Sequence, residues 1–178
     1  MQRKLLAIVV ADMVGFSRLV ENDEISILFR QKEYFNEIIK PEIKKFNGEI
    51  IKTTGDGFLA TFASSLDAVE STANIQKIIN LREQTQSNDK RIWFRIGINV
   101  GDVVLDDGDI FGNSVNIASR LESIADAGDV CITSDIFQNI KNLKFFEIIH
   151  LGEQYLKNIS QKVDVYKIKI NHEEINKN

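Results

Sequence analysis

Residues 50–62 read IIKTTGDGFLATF, and the predicted topology is built around this stretch. An apolar run ends at Lys52, the chain turns through TTGDG, and a second apolar run begins at Phe58. Glycines around an aspartate between two apolar runs predict a tight hairpin of two strands. Asp56 lies at the tip of this hairpin, where a role in the turn alone would explain it.

The composition narrows the class of protein. The 178 residues are 43% hydrophobic and 27% charged, with a net charge of −4, which is typical of one globular domain and argues against nucleic-acid binding. Cys131 is the only cysteine, so we predict a buried strand thiol in a reducing compartment and no internal disulfide. The apolar run at residues 5–11 is too short to cross a bilayer, and no cleavage site follows it. We therefore expect a cytoplasmic protein with no nucleic-acid and no membrane partner.

Hydrophobic periodicity and turn residues predict alternating strands and helices. The predicted elements are a strand over 5–11, a helix over 24–46, hairpin strands over 49–52 and 58–62, a helix over 65–84, a strand over 91–105, a helix over 114–124, a strand over 130–133, a short helix capped by Ser134, and strands between 144 and 170. The first six follow the β-α-β-β-α-β order of a ferredoxin-like split βαβ unit, and an α-β-α-β-β extension follows. We expect one α+β domain over residues 1–170 and a polar tail over 171–178.

The first predicted helix has an amphipathic pattern and contains the only proline. It opens at Asp23 or Glu24, after a loop over residues 12–18, and Pro41 should kink or divide it. Its apolar residues recur mostly at steps of three and four, which predicts one buried stripe. The stripe consists of Ile25, Leu28, Phe35, Ile38, Ile39, Ile43 and Phe46.

Two aspartates are expected to lie close together. Asp12 ends the first strand and Asp56 lies at the hairpin tip, and in a split βαβ sheet both carboxylates can emerge at the same edge. Paired carboxylates suit hard divalent cations, and Mg²⁺ combines one or two of them with substrate phosphates. The segment Gly15-Phe16-Ser17 offers backbone N–H groups where a triphosphate can lie. The alternative is an ordinary strand-end residue and an ordinary turn residue.

A second group of polar residues lies in DIFGNSVNIASR, residues 109–120. Asn116 and Arg120 are four residues apart, so a helix places them on one face. Arginine keeps its proton and suits charge that develops on a transferring phosphoryl group, and Asn116 can position a sugar. For this pair alone, a solvated helix face is the alternative.

Five segments carry a family resemblance, in one order along the chain. They are VVADMVGFSRL, IIKTTGDGFLATF, FRIGINVGDV, GDIFGNSVNIASRLE and LGEQYLKN, and they extend from residue 5 to about 168. With these segments the chain resembles the catalytic domain of the class III nucleotidyl cyclases, the adenylyl/guanylyl cyclase family.

The resemblance implies a metal and phosphate site. Asp12 and Asp56 resemble the two metal-binding aspartates, and the backbone carbonyl of Met13 is expected to add a metal contact. Lys157, in LKN, stands where a lysine meets the β- and γ-phosphates. Asn158 follows it where many relatives have glycine, so the backbone there is expected to differ.

The resemblance also implies residues that read the base and the sugar. Lys52 and Asp109 stand where cyclases that use ATP place their adenine-reading pair. Asn116 and Arg120 resemble the pair that orients the ribose and stabilises the pentacovalent phosphorus. His150 and the second histidine, at position 172, lie outside every motif.

The implied reaction converts ATP to 3′,5′-cyclic AMP and pyrophosphate, by in-line attack of the 3′-hydroxyl on the α-phosphorus with two divalent cations, Mg²⁺ or Mn²⁺. In the family, the metal aspartates come from one subunit and the base-reading, Asn and Arg residues from the other. The resemblance therefore implies a homodimer with two composite sites. The short span between residues 101 and 109 leaves the affinity of that dimer open.

Several alternatives stay open. An RNA-binding module shares the βαββαβ core, although the acidic charge opposes it and RIWFRIGIN, residues 91–99, is the nearest match to an aromatic RNA-binding strand. A silent cyclase homologue that only binds nucleotide would be expected to lack a metal or transition-state residue, and none is missing. TTGDGF does not match the GG-acidic-acidic-F signature of diguanylate cyclases. A cyclase of GTP or of a pyrimidine triphosphate remains possible on the sequence.

Overall fold

The TTGDG turn joins two antiparallel strands in the computed structural model of the chain, which describes residues 1–143 and 146–170. The strands are β1 (Gln2–Met13), β2 (Glu49–Thr53), β3 (Gly57–Phe62), β4 (Phe94–Asp106), β5 (Asp109–Phe111), β6 (Val130–Thr133), β7 (Glu147–Gln154) and β8 (Val163–Lys169). The helices are α1 (Phe16–Tyr34), a π-helical segment (Phe35–Ile39), α2 (Lys40–Lys45), α3 (Ser65–Glu83), a 3-10 turn (Asn88–Lys90), α4 (Asn113–Ile124) and α5 (Ser134–Ile140). This order confirms the α+β class and the βαββαβ core, while the three-residue strand β5 was not predicted. The predicted tail at 171–178 lies outside the described residues.

The strands form a single sheet that brings the two aspartates to one edge. Its order is β2-β3-β1-β4-β6-β8-β7, and β5 pairs with β4. β1 lies between β3 and β4 and runs antiparallel to both. Asp12 therefore stands opposite Gly57 on one side and Arg95 on the other. The end of β1 and the hairpin tip meet, as the split βαβ topology predicts.

The two faces of the sheet are covered differently. Helices α1, α2, α3 and α5 bury the larger core on one face, around residues such as Val9 and Ile96. On the other face α4 covers a smaller cluster around Ile8, and Val10 beside it stays partly exposed. α4 reaches the backbone of β4 because residue 97 is glycine: a Cβ there would lie 2.4 Å from the backbone N of Glu122.

The first helix departs from its predicted boundaries. It begins at Phe16 instead of after residue 22, and Asp23 interrupts it with φ −157° and ψ 73°. The Asp23 carboxylate accepts a hydrogen bond from the backbone N–H of Ser26 at 3.4 Å, which is how an N-cap residue acts. Asp23 thus opens the second part of α1, as predicted, and an unpredicted helical segment precedes it.

The predicted stripe of the first helix is wrong in its first part. Ile25 is 85% exposed and Leu28 is 41% exposed, whereas Ile27 and Tyr34 are buried. The cause is the π-helical segment, which adds one residue to the turn and shifts the buried face by one position. Pro41 lies in the first turn of α2, where its missing N–H does no harm, so it divides the helix as predicted.

The remaining elements follow the sequence closely. Ser64 caps α3 by accepting from the N–H of Asp67 at 3.2 Å. The cap of α5 is Thr133 rather than Ser134, because Ser134 is already helical. Cys131 is buried in β6, and burial raises its pKa to about 12, so the prediction of a buried strand thiol is confirmed. Within 1–143 and 146–170, every helix is too short or too polar to cross a membrane.

Candidate active site

Backbone contacts fix the hairpin tip against the end of β1. The N–H of Met13 donates to the carbonyl of Asp56 at 2.8 Å, and the N–H of Thr54 donates to the carbonyl of Gly57 at 2.9 Å. Position 57 accepts only glycine, because a Cβ there would lie 2.0 Å from the carbonyl oxygen of Ala11. The turn is therefore held by the strand beside it and does not depend on its own residues alone.

This arrangement places the carboxyl groups of Asp12 and Asp56 in hydrogen-bonding contact. Burial, that hydrogen bond and the charge of Asp56 raise the pKa of Asp12 to about 6. Two neighbouring carboxylates repel each other, and a cation between them relieves that repulsion. The pair thus has the donor set that a divalent cation requires. Within 1–143 and 146–170 no group of three or more His, Cys, Asp or Glu residues could hold a metal, so further ligands would have to be carbonyl, water or phosphate oxygens.

A helix begins four residues after Asp12. Gly15 precedes α1 with φ +62°, a left-handed conformation that favours glycine. The N–H of Leu19 is the first to reach back along the helix, to the carbonyl of Gly15 at 3.0 Å. The N–H groups of Phe16 and Ser17 therefore have no partner within the helix and can donate hydrogen bonds to an anion. The predicted phosphate segment lies beside the predicted metal ligands.

Lys52 and Asp109 form an ion pair within the chain. The Lys52 Nζ lies 2.9 Å from Asp109 Oδ2, and the N–H of Ile110 donates to Asp109 Oδ1 at 2.8 Å. These two donors lower the pKa of Asp109. The strand β5, which the sequence did not reveal, places Asp109 at the start of a hairpin with β4. The two predicted base-reading residues are thus neighbours, 57 positions apart in sequence.

One cavity contains both aspartates and the lysine of that ion pair. It has a volume of about 370 Å³, and its lining includes Asp12, Asp56, Lys52, Leu59, Val115 and Ser119. A volume of roughly 300–1,000 Å³ with mixed apolar and polar walls is the range of small-molecule sites. We call it the Asp12–Asp56 cavity. Its lining combines two carboxylates, one lysine and apolar side chains.

Sequence reasoning missed two further charged residues beside this cavity. Glu122 lines it and is only 6% exposed, and Arg95 Nε lies 3.4 Å from Glu122 Oε1. Burial and the charge of Asp12 raise the pKa of Glu122 to about 7, while Arg95 opposes that rise. Both lie within quoted motifs, FRIGIN and SRLE, but their pairing depends on the packing of α4 on β4. A charged residue on the buried side of α4 was the only available signal.

The structure leaves three predicted site residues away from the aspartates. Asn116 is exposed and Arg120 half-buried on α4, and neither lines the Asp12–Asp56 cavity. Lys157 is exposed in the connection between β7 and β8. Asn158 after it has φ +62°, a left-handed conformation that glycine favours and asparagine tolerates.

The fold and this pair of aspartates define a class of protein. The family model for the adenylate and guanylate cyclase catalytic domain matches residues 2–170. The chain therefore belongs to this family of nucleotide cyclases.

Individual relatives agree with the family assignment. The chain is 35% identical to putative adenylate cyclase 3 of Rhizobium meliloti over 165 residues, which is 93% of this chain and 28% of that protein. An adenylate/guanylate cyclase/hydrolase from Silicibacter pomeroyi matches with a TM-score of 0.87 and 43% identity, over 94% of this chain and 98% of that one. The adenylyl cyclase CyaB from P. aeruginosa matches with a TM-score of 0.83 and 28% identity, over 94% and 95% of the two chains. The chain spans less than a third of the length of the curated relatives from Rhizobium meliloti and Streptomyces coelicolor.

Proposed function

We propose that the chain is an adenylate cyclase that converts ATP to 3′,5′-cyclic AMP and pyrophosphate. One observation carries the proposal: Asp12 and Asp56 meet at one edge of the sheet and line one cavity, where two carboxylates can hold a divalent cation. The names of the relatives, adenylate cyclases in several cases, support the choice of ATP. Residues 1–170 would form the catalytic domain, and the cytoplasm, where ATP is abundant, is the proposed location.

The aspartates would hold the divalent cations. Asp12, Asp56 and the carbonyl of Met13 would bind two ions, Mg²⁺ or Mn²⁺, which in this class of reaction supply polarisation of the attacking 3′-oxygen and neutralisation of the leaving pyrophosphate. The fit rests on the two neighbouring carboxyl groups, because burial and the contact with Asp56 raise the pKa of Asp12. The N–H groups of Phe16 and Ser17 would receive phosphate oxygens at the start of α1.

Base selection would come from the ion pair. Lys52 can donate to the ring N1 of adenine, and Asp109 can accept from its exocyclic amine. Guanine presents the opposite pattern at both positions, so the pair disfavours it. A well-placed pair of this kind discriminates by about 1–3 kcal/mol, by analogy with the reading of bases in DNA.

In each composite site, Lys52 and Asp109 would come from a second copy of the chain, together with the sugar- and phosphate-binding residues. Asn116 would orient the ribose, Arg120 would stabilise charge on the α-phosphoryl group, and Lys157 would bind the β- and γ-phosphates. None of the three lines the cavity that holds Asp12 and Asp56 in the same chain. A homodimer with two composite sites would supply them, and ATP and this second copy are the proposed partners.

The first test identifies the product. Purified protein is incubated with Mg²⁺ or Mn²⁺ and each of the four ribonucleoside triphosphates, and products are identified by mass spectrometry. We expect cyclic AMP from ATP. A cyclic product from GTP or a pyrimidine triphosphate instead would establish a different base, and nucleotide binding without any cyclic product would establish a silent homologue.

The second test addresses the shared site. Asp56→Ala and Arg120→Ala are each expected to be inactive, whereas their mixture should regain activity because one heterodimeric site keeps every wild-type residue. A mixture that stays inactive although both variants fold would contradict the composite site. A mixture of Asp56→Ala with Asp12→Ala is the control and should stay inactive, since both changes affect the same half of the site.

A further inference from the structure

A second cavity lies on the opposite side of the TTGDG turn. It has a volume of about 380 Å³ and is bordered by α1 and the π-helical segment on one side and by residues 53–57 on the other. We call it the α1–turn cleft. None of the predicted substrate-binding residues lines it, and the one predicted metal ligand in its wall is Asp56.

The cleft leads from the surface into the core. Its buried walls are Ile39, Phe58 and Phe94, which are exposed by 1%, 2% and 3%. Leu28, 41% exposed, and the exposed Thr53 lie nearer the surface. Empty apolar volume lowers stability because the side chains around it lose contacts. A deep apolar cleft of this size is therefore suited to an occupant.

The π-helical segment forms part of this cleft. Phe35 and Ile39 are its first and last residues, and both line the cleft. A π-helical turn is rare and frequently occurs at functional sites. Here it turns Phe35 and Ile39 toward the same space, so the irregular backbone shapes the wall.

The cleft shares its wall with the proposed catalytic site. Thr54, Asp56 and Phe58 line both the α1–turn cleft and the Asp12–Asp56 cavity. Gln31, on α1, donates a side-chain hydrogen bond to the carbonyl of Gly55. The turn is thus one thin partition between two cavities, and it is tied to α1 through the cleft.

We propose that the α1–turn cleft is an effector site for a small aromatic carboxylate, and that the bound effector holds the turn in the position where Asp56 binds metal. The regulatory half of this proposal rests on the proposed cyclase function, whereas ligand binding does not. The effector would contact the α1 wall and the turn wall together and so reduce the freedom of the turn.

The lining determines the class of ligand. Three phenylalanines, Phe35, Phe58 and Phe94, offer ring surfaces that favour an aromatic body. Lys32 lies in the wall of the cleft, and within 1–143 and 146–170 its ammonium group makes no ion pair or hydrogen bond with another side chain. A carboxylate on the ligand would pair with it.

Binding is tested without nucleotide by isothermal titration calorimetry with 2-naphthoate. We expect a dissociation constant on the order of 100 µM, a value typical of a ligand of this size. Leu28→Trp should fill the outer part of the cleft and weaken binding at least about tenfold. Ile25→Trp, one turn earlier and 85% exposed, is the matched control and should bind like the wild type.

Charge is tested by a second variant and a neutral ligand. Lys32→Glu should weaken 2-naphthoate about tenfold but leave 2-naphthalenemethanol within about twofold, because the alcohol lacks the charge. Lys44→Glu makes the same change of net charge on the exposed surface of α2 and should affect neither ligand. Absence of binding at millimolar naphthoate, or equal binding by Leu28→Trp, would overturn the site. Dimer dissociation by Leu28→Trp without naphthoate binding would show that a second copy covers the cleft.

Coupling is measured on the metal rather than on the reaction. Electron paramagnetic resonance of free Mn²⁺ should show that 2-naphthoate tightens Mn²⁺ binding by about threefold or more in the wild type and not in Leu28→Trp. Unchanged or weaker Mn²⁺ binding with naphthoate bound would overturn the regulatory role. Because this readout needs no cyclic product, it separates failure of the effector proposal from failure of the cyclase proposal.

Discussion

The proposed site has two parts that are built in different ways. We call Asp12 and Asp56 the hairpin end and Asn116 and Arg120 the α4 end. At the hairpin, backbone hydrogen bonds and the close approach of Gly57 to Ala11 hold Asp56 beside Asp12. On α4, Asn116 is exposed, and Arg120 makes no hydrogen bond or ion pair within 1–143 and 146–170. The hairpin end is therefore positioned by contacts within one chain, whereas the side chains of the α4 end are exposed or half-buried. This difference is what a site completed by a second chain requires.

The largest expected effect tests the α4 end. Arg120→Ala should lower kcat by about 10³-fold or more, because an arginine that stabilises phosphoryl charge contributes on this scale. Its melting temperature should stay within about 2 °C of the wild type, since the guanidinium makes no hydrogen bond or ion pair in the described part of the chain. Steady-state kinetics and differential scanning calorimetry give both values.

A conservative change at the same position separates charge from shape. Arg120→Lys keeps the charge but loses the two-pronged guanidinium, so it should recover only part of kcat. A large loss of stability in Arg120→Ala would show that Arg120 supports the fold instead, and the contrast between the two ends would disappear.

The next effect tests the hairpin end. Gly57→Ala would place a Cβ 2.0 Å from the Ala11 carbonyl oxygen, so the turn must move. We expect a loss of about 1–3 kcal/mol of stability and about a 100-fold fall in kcat/KM, because displacement of a catalytic group by about 1 Å costs this much. Urea unfolding and initial rates measure the two.

The neighbouring glycine provides the control. A Cβ at Gly55 meets nothing within 4 Å, so Gly55→Ala should change stability by less than about 0.5 kcal/mol. Equal effects of the two substitutions would mean that the close approach at Gly57 does not position Asp56.

The contrast also separates what local sequence could predict from what it could not. The hairpin follows from glycine, aspartate and flanking apolar residues within 13 positions, and the structure agrees. The buried stripe of α1 was wrong at Ile25 and Leu28 because the π-helical segment shifts its phase, and periodicity assumes a constant pitch. Strand β5 was missed because three residues carry no periodic signal.

The candidate site shows the same limit. Asp12 and Asp56 could be predicted to meet, because split βαβ topology fixes which strand ends are adjacent. Glu122 and Arg95 could not be paired, because their contact depends on how closely α4 approaches Gly97. The roles of Asn116, Arg120 and Lys157 remain predictions, since they depend on a surface that a single chain does not contain.

A smaller effect concerns base selection, which links the two ends. Lys52→Glu combined with Asp109→Ser should lower the preference for ATP over GTP by about 10- to 100-fold, the equivalent of about 1–3 kcal/mol. Mn²⁺ affinity should stay within about twofold, because Asp12 and Asp56 are unchanged. Competition assays with both nucleotides measure the preference. An unchanged preference would remove Lys52 and Asp109 from the base pocket.

The smallest expected effect is a pH dependence of stability at the hairpin end. The folded pKa of Asp12, about 6, is raised above its ordinary value of 3.8, so the folded chain binds this proton more tightly than the unfolded chain. Stability from this group is therefore fully present below pH 4 and is lost as the pH rises toward 6.

In a chelating buffer, the wild type should lose about 1 kcal/mol more than Asp12→Asn between pH 4.5 and 7, after allowance for partial exposure. Urea unfolding at both pH values measures this difference, and millimolar Mg²⁺ at pH 7 should restore stability to the wild type but not to Asp12→Asn. Identical pH dependence in the two proteins would show that the aspartates do not repel each other. The hairpin end would then not be a preformed cation site.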